Sequence, residues 1–147
     1  MMAGRQICAG FLILLGASSP SFAAVLKPDD TAIVAAGEEV YKAHCASCHG
    51  ANLEGEPNWK SPKETGRMPA PPHDEKGHTW HHKDIHLFEL TKFGLKKYAG
   101  EDYETDMPAY EGTLSDDEII AVLSYIKSHW PPEIREYHDA LNKGQTE

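Results

Sequence analysis

The apolar positions of this chain recur mainly at the three- and four-residue spacing of helices, and this pattern first appears over residues 31–44. Asp30 or Thr31 can cap that helix at its start. One face of the helix carries five residues at helical spacing, namely Ile33, Gly37, Val40, Tyr41 and His44. A glycine costs a helix about 1 kcal/mol relative to alanine, so its place on this face indicates a close crossing with another helix.

The strongest helix signal lies near the end of the chain. Ser115 and Glu118 have the spacing of a capping box, in which each side chain satisfies a free backbone amide of the other residue. The residues that follow form one apolar stripe: Ile119, Val122, Leu123, Ile126 and Trp130. Pro131 and Pro132 end this helix.

Two weaker helices complete the pattern. One is predicted over residues 84–93, with Asp84 as its cap and Gly94 as its stop. The other is predicted in the C-terminal tail, residues 131–147. The sequence shows no convincing strand, hairpin or repeat, so we predict an all-α fold.

The proline-rich segment, residues 50–83, lies between the helices predicted over residues 31–44 and 84–93. Its five prolines exclude long regular structure: Pro57, Pro62, Pro69, Pro71 and Pro72. A loop of this length inside a compact domain needs something other than backbone pairing to organise it.

Residues 1–23 have the organisation of a secretory signal peptide. Arg5 supplies a positive charge, residues 7–17 form a short apolar core, and Ser21 to Ala23 place small residues at a cleavage site. We predict cleavage after Ala23, which leaves residues 24–147 as a single domain in the periplasm. The alternative is an uncleaved anchor, although the apolar core is short for one.

The composition excludes other classes of function. The 147 residues contain 14 Lys and Arg against 23 Asp and Glu, a formal net charge of −9, which becomes −10 when Arg5 is removed with the signal peptide. Nucleic-acid binding needs a basic face, so we expect no nucleic-acid partner. Three cysteines are too few for a disulfide-rich scaffold.

Cys45, Cys48 and His49 form the sequence C-x-x-C-H, which is typical of covalent attachment of a c-type haem. Two thiols at this spacing can reach the two vinyl groups of one porphyrin, and the next imidazole can bind its iron. A thioredoxin-like dithiol would need a βαβ context, and a zinc site would need a second cysteine pair. The sequence offers neither.

From these residues, the chain resembles the bacterial class I monohaem c-type cytochromes over nearly all of residues 24–147. The matching positions are Gly37, Tyr41, Cys45 to Gly50, Met107 to Tyr110, Val122 and Tyr125. The resemblance implies that the N- and C-terminal helices cross at Gly37 and that the proline- and glycine-rich loops wrap around one covalent haem. It also implies that His49 and Met107 are the axial ligands of the iron. Met68, in the proline-rich segment, is the other candidate methionine, and its alternative role is to fill a gap beside the porphyrin.

The resemblance further implies a proline carbonyl that accepts a hydrogen bond from the axial imidazole. Pro71 and Pro72 are the matching segment, with Pro57 as the alternative. Trp59 and Tyr110 are candidates for the haem environment, as are Trp80 and Tyr98, and each of these aromatic residues also suits the protein core.

Five of the nine histidines form a cluster in the sequence: His73, His78, His81, His82 and His86. Imidazoles at this density can bind Cu(II), Zn(II) or Ni(II), and copper has the highest affinity. The main interpretation is a polar loop whose imidazoles bond to backbone, haem propionates and water. A copper or zinc site and a pH-responsive docking surface are the alternatives.

We therefore expect a periplasmic carrier of single electrons rather than an enzyme, because two filled axial positions leave no open site at the iron. Its partners would be redox proteins, such as a membrane oxidase, a reductase or a dehydrogenase, and we expect a monomer or a weak dimer. Candidate docking surfaces are the acidic residues 101–106 and the basic group Lys92, Lys96 and Lys97. Two alternatives stay open: copper handling by the histidine cluster, and a haem enzyme acting on a small ligand if Met107 is labile.

Overall fold

The computed structural model describes residues 25–143, so the predicted signal peptide lies outside the described residues. Within residues 25–143 the chain forms helices and no strand, which confirms the all-α prediction. The elements are α1 (Thr31–His44), α2 (Ala46–His49), a 3-10 helix (Thr79–His81), α3 (Asp84–Phe93), α4 (Lys96–Ala99), α5 (Asp116–Ser128) and α6 (Pro132–Asn142).

The two long helices begin at the caps that the sequence indicates. The Oδ1 of Asp30 accepts hydrogen bonds from the backbone amides of Ala32 and Ile33, at 3.1 and 3.2 Å, and so caps α1. At α5, the amide of Glu118 donates to Ser115 Oγ over 3.3 Å, and the amide of Ser115 donates to Glu118 Oε2 over 2.8 Å. The predicted capping box is therefore confirmed.

Helices α1 and α5 pack directly against each other and form the centre of the core. Tyr41 of α1 and Tyr125 of α5 meet with their ring centroids 5.3 Å apart. The predicted apolar stripe is buried along its whole length, with Ile119, Val122, Leu123 and Ile126 in α5 and Trp130 two residues after its end. This crossing places the end of α1, and with it the Cys45–His49 motif, at a defined point on the core.

Helix α3 has the predicted bounds, but the prediction that Asp84 caps it is wrong. Lys83 occupies the cap position and no side chain caps this helix. Asp84 is instead the first helical residue and is buried, and its Oδ2 accepts a hydrogen bond from the amide of Leu26 over 3.2 Å. The carboxylate satisfies a backbone group 58 positions away rather than its own helix.

The proline-rich segment has no regular structure between residues 50 and 78. Long-range backbone hydrogen bonds hold it together, including His73 N to Leu53 O at 2.8 Å and Glu56 N to Ala70 O at 2.9 Å. Helix α6, within the tail where the sequence predicts a weak helix, packs against the 3-10 helix. No helix in residues 25–143 has the length and apolar character needed to cross a membrane.

Candidate haem-binding site

The Cys45–His49 motif lies at the junction between α1 and α2. Cys45 ends α1, where its amide donates to the Tyr41 carbonyl, and it also precedes the first turn of α2. Both thiols are free; Cys45 is half-buried and Cys48 is exposed. Burial raises the pKa of the Cys45 thiol to about 11, with a smaller contribution from Cys48, so this thiol stays protonated at neutral pH.

The His49 side chain is buried and one of its ring nitrogens has a defined partner. Its Nδ1 lies 2.8 Å from the carbonyl oxygen of Pro71. A carbonyl only accepts, so Nδ1 carries the proton and Nε2 is left as the basic nitrogen that can bind a metal. Burial lowers the pKa of His49, and the bond to Pro71 opposes that shift only in part. The neutral imidazole that iron requires is therefore favoured.

The two methionines of residues 25–143 have different surroundings. Met107 is partly buried and packs against the hydrophobic core. Its backbone amide donates to Thr105 Oγ1 over 3.1 Å, which shapes the loop in front of it. The side chain of Met68 is 40% exposed. Met107 is thus the methionine that the fold holds against the interior.

Tyr110 connects the loop that carries Met107 to the cysteine motif. It is buried, and its hydroxyl donates to the carbonyl of His44 over 2.7 Å, immediately before Cys45 in the chain. Burial raises the pKa of the Tyr110 hydroxyl, and the neighbouring Cys45 and Cys48 contribute to the rise. Tyr110 and the cysteines therefore border the same region of the molecule.

Comparison with known proteins identifies the family of this chain. The model of the family described as "Cytochrome c" matches residues 34–130, about two thirds of the chain, including the whole cysteine motif. The chain belongs to the cytochrome c family. It is also 33% identical over 98 residues to "Cytochrome c6" of Tetradesmus obliquus, a match that covers 65% of this chain and 90% of that protein. No solved structure matches the chain.

The donor groups of this cytochrome fit its cofactor. Two free thiols lie one helical turn apart, and the buried imidazole after them has a free Nε2. These are the groups that attach a porphyrin through two thioethers and bind its iron from one side. The chain is therefore an electron carrier of the class I cytochrome c fold with one covalently bound haem c.

Other residues predicted for the haem environment have mixed positions. Pro72 is buried next to the Pro71 carbonyl that holds His49. Trp59 is half-buried and stacks on His78, with 5.5 Å between the ring centroids, and the ammonium of Lys60 lies 5.1 Å from the Trp59 ring. The contacts of Trp59 in the structure are thus to polar loop residues.

The structure does not assemble the five-histidine cluster into a metal site. Among residues 25–143, no group of three or more histidine, cysteine, aspartate or glutamate side chains could hold a metal ion. His73 faces His49, and His81 stacks on Trp80. The rings of His78, His82 and His86 follow one another edge to face, at centroid distances of 5.5 and 4.9 Å. These are contacts between rings, so the main interpretation, imidazoles bonded to backbone, haem propionates and water, stays a prediction.

An ion-pair network that the sequence does not indicate joins the loop that contains Arg67 to the loop that precedes Met107. Arg67 Nη1 lies 2.6 Å from Asp106 Oδ1, and Nη2 lies 2.7 Å from Glu104 Oε2. Lys63 approaches Asp106 at 3.7 Å. The hydrogen bond from Arg67 lowers the pKa of Asp106 below its ordinary range. The acidic residues before Met107 therefore hold their loop in place and also make the surface negative. In the sequence, the only sign of this network is that these residues and Arg67 have opposite charges.

His138 is a second residue whose role the sequence does not indicate. It is fully buried on α6, and its Nε2 donates to the carbonyl of His82 over 2.8 Å and lies 3.5 Å from Asp84 Oδ1. Burial lowers the pKa of His138, and nearby Lys127 adds to the lowering, while Asp84 opposes it. This neutral imidazole attaches the tail helix to the end of the histidine-rich loop.

Proposed function

We propose that this cytochrome is an exported carrier of single electrons whose haem iron is bound by His49 and Met107. The observation that carries the proposal is the 2.8 Å hydrogen bond between His49 Nδ1 and the Pro71 carbonyl, which leaves Nε2 free in a buried position. The packing of Met107 against the core supports it as the second ligand, since the exposed Met68 has no comparable support.

The haem, when attached, supplies an iron that changes between the ferrous and ferric states by one electron. Cys45 and Cys48 would hold the porphyrin, and His49 would bind the iron as a neutral imidazole. The thioether of Met107 is a soft ligand that favours ferrous iron and raises the reduction potential. Burial of His49 acts in the same direction, because a site with little water disfavours the extra charge of the ferric state.

Two protein ligands leave no position at the iron for a substrate, so the proposed role is transfer and not catalysis. The chain's residues serve this role by keeping the ligands fixed, since electron transfer needs no bond to form or break. The Arg67 network holds the Met107 loop, and the Pro71 carbonyl holds His49.

We further propose that the protein works in the periplasm after removal of residues 1–23, with redox proteins as its partners. Two lysines of the basic group are paired with acidic residues, Lys92 with Asp116 at 2.6 Å and Lys97 with Glu89 at 2.9 Å. These pairs weaken the basic group as a docking surface and favour a partner with a basic face, which the acidic chain would attract. Intact-mass measurement of the exported protein tests this part: we expect residues 24–147 plus one haem.

The ligand assignment is tested by the optical spectrum of the ferric protein. We expect a low-spin spectrum with the weak far-red band of methionine-ligated haem in the wild type and in Met68→Leu, the matched control. Met107→Ala should lose that band and bind added cyanide or imidazole rapidly. A far-red band that survives in Met107→Ala and disappears in Met68→Leu would reverse the assignment. A high-spin spectrum of the wild type would contradict the proposal that His49 and Met107 both bind the iron.

A further inference from the structure

His73 lies against the flat face of the predicted iron ligand. The ring centroids of His49 and His73 are 4.0 Å apart, and the two planes differ by 24°. His73 follows Pro71 by two residues, and the Pro71 carbonyl binds the Nδ1 edge of the same imidazole. One short segment of the chain therefore contacts His49 both at its edge and on its face.

Three hydrogen bonds hold His73 in this position. Its amide donates to the carbonyl of Leu53 over 2.8 Å, and its own carbonyl accepts from Trp130 Nε1 over 2.8 Å. Its side-chain Nδ1 is bonded to Thr79 Oγ1 over 2.8 Å. Leu53, Thr79 and Trp130 are all buried. These bonds therefore hold the His73 ring in a fixed position, unlike a mobile surface side chain.

The two contacts to His49 constrain different motions. The outer side-chain torsion of a histidine has broad minima, so its ring orientation is set by what surrounds it. A hydrogen bond to Nδ1 tolerates a range of angles before it weakens. A second ring stacked on the face blocks rotation toward that side, and it also occupies the space through which water would reach the imidazole.

We propose that His73 is a positioning residue for the electron-transfer site, which fixes the rotation of the His49 imidazole and excludes water from its face. The inference rests on the proposed ligation of iron by His49. Ring orientation and solvent access at an axial ligand are among the properties by which a protein sets the reduction potential of its haem. His73 therefore contributes to the potential without touching the iron.

The test compares three variants of the haem-loaded protein by proton NMR of the ferric haem methyl groups and by the midpoint potential. His73→Ala removes the stacked ring, so we expect a changed order or spread of the methyl shifts and a lower potential, because water reaches His49. His73→Leu keeps volume but not the flat ring, and it should also change the shift pattern. His73→Phe keeps a flat ring and should retain the wild-type pattern.

His81→Ala is the matched control, since His81 is an exposed histidine that stacks on Trp80 with 3.7 Å between the ring centroids. It should leave the methyl shifts and the potential at their wild-type values. Wild-type shifts and potential in both His73→Ala and His73→Leu would overturn the role of His73 while leaving the ligation by His49 intact. A wild-type protein without the low-spin spectrum of a histidine-ligated haem would instead overturn the proposed function, and this inference with it.

Discussion

Gly37 faces the backbone carbonyl of Ala121 where α1 crosses α5, and no side chain fits between them. A Cβ atom added to Gly37 would lie 2.0 Å from the Ala121 oxygen and 2.9 Å from the Cβ of Tyr125. Because the nearest atoms belong to helix backbone, they can move only if the helices separate. The closeness of this crossing explains why the helix tolerates a residue that costs it about 1 kcal/mol.

Gly37→Ala should destabilise the protein even though alanine is the better helix former. Overpacking of a tight contact costs about 1–3 kcal/mol, and here the backbone contact places it at the upper end, above the gain in helix propensity of about 1 kcal/mol. Denaturant unfolding of the haem-loaded protein measures the difference. Ala35→Gly, at an exposed position of the same helix, gives the propensity effect alone. A Gly37→Ala protein more stable than the wild type would contradict the close crossing.

Arg67→Ala should weaken the proposed attachment of Met107 to the iron. Arg67 binds Asp106, the residue directly before Met107, at 2.6 Å, and it also binds Glu104 at 2.7 Å. Loss of the guanidinium frees this loop, because Glu104 loses its ion-pair partner and Asp106 keeps only the longer 3.7 Å pair with Lys63. We expect ferric Arg67→Ala to bind added cyanide several-fold faster than the wild type, with loss of the far-red band as the signal.

High salt should produce a smaller effect of the same sign in the wild type, because exposed ion pairs are screened. Arg135→Ala is the control for Arg67→Ala, since Arg135 forms a similar 2.6 Å surface pair with Asp29. Cyanide binding at the wild-type rate in Arg67→Ala would show that the network does not hold the methionine loop.

Asp139→Asn should destabilise the protein more than Lys127→Met does. The side chain of Lys127 is 4% exposed and its ammonium lies 2.5 Å from Asp139, which is 54% exposed. Asparagine leaves a buried ammonium without its counter-charge, whereas methionine removes that charge and keeps the apolar stem. We expect Asp139→Asn to cost about 1–2 kcal/mol, below the range for a fully buried pair because water reaches Asp139. Urea unfolding monitored by far-ultraviolet circular dichroism compares the stabilities of the two variants. A larger loss of stability in Lys127→Met than in Asp139→Asn would show that the ion pair itself stabilises α6.

Acidification from pH 7.5 to 5 should destabilise the native protein, in part through His138. Burial lowers the pKa of His138 below its ordinary value of 6.5. As the pH falls through 6.5, the unfolded chain therefore binds a proton that the folded protein does not, so stability is lost toward acid. One such group changes the free energy of unfolding by at most about 1.4 kcal/mol per pH unit.

His138→Gln should reduce this slope, because glutamine does not titrate while its amide can still donate to the His82 carbonyl. Asp84, Lys127 and Asp139 face the same group and remain in the variant. The measurement is the free energy of unfolding at several pH values, with His44→Gln at an exposed position as the control for the substitution. An unchanged slope in His138→Gln would remove His138 as a source of the acid sensitivity.

The contacts of three side chains show where sequence reasoning stops. Asp84 looks like a helix cap from its local sequence, yet its carboxylate bonds to the Leu26 amide. His138 carries no signal in its neighbours, yet it is fully buried against the His82 carbonyl. Arg67 lies in a proline-rich loop and pairs with acids 37 and 39 positions later. In each case the partner is distant in the chain, so no local pattern indicates it.

The sequence by itself determined the features whose physics is local. The capping box of α5 spans four residues, the cysteine motif spans five, and the Gly37 face repeats within one helix, so each is complete within a few turns of chain. Only the tertiary structure decided which of the candidate proline carbonyls holds His49, which ring lies on the face of His49, and which side chains hold the loop before Met107. Those choices depend on how the proline-rich segment folds back on the crossing of α1 and α5. That path is set by the packing of distant residues rather than by the propensities of the segment itself.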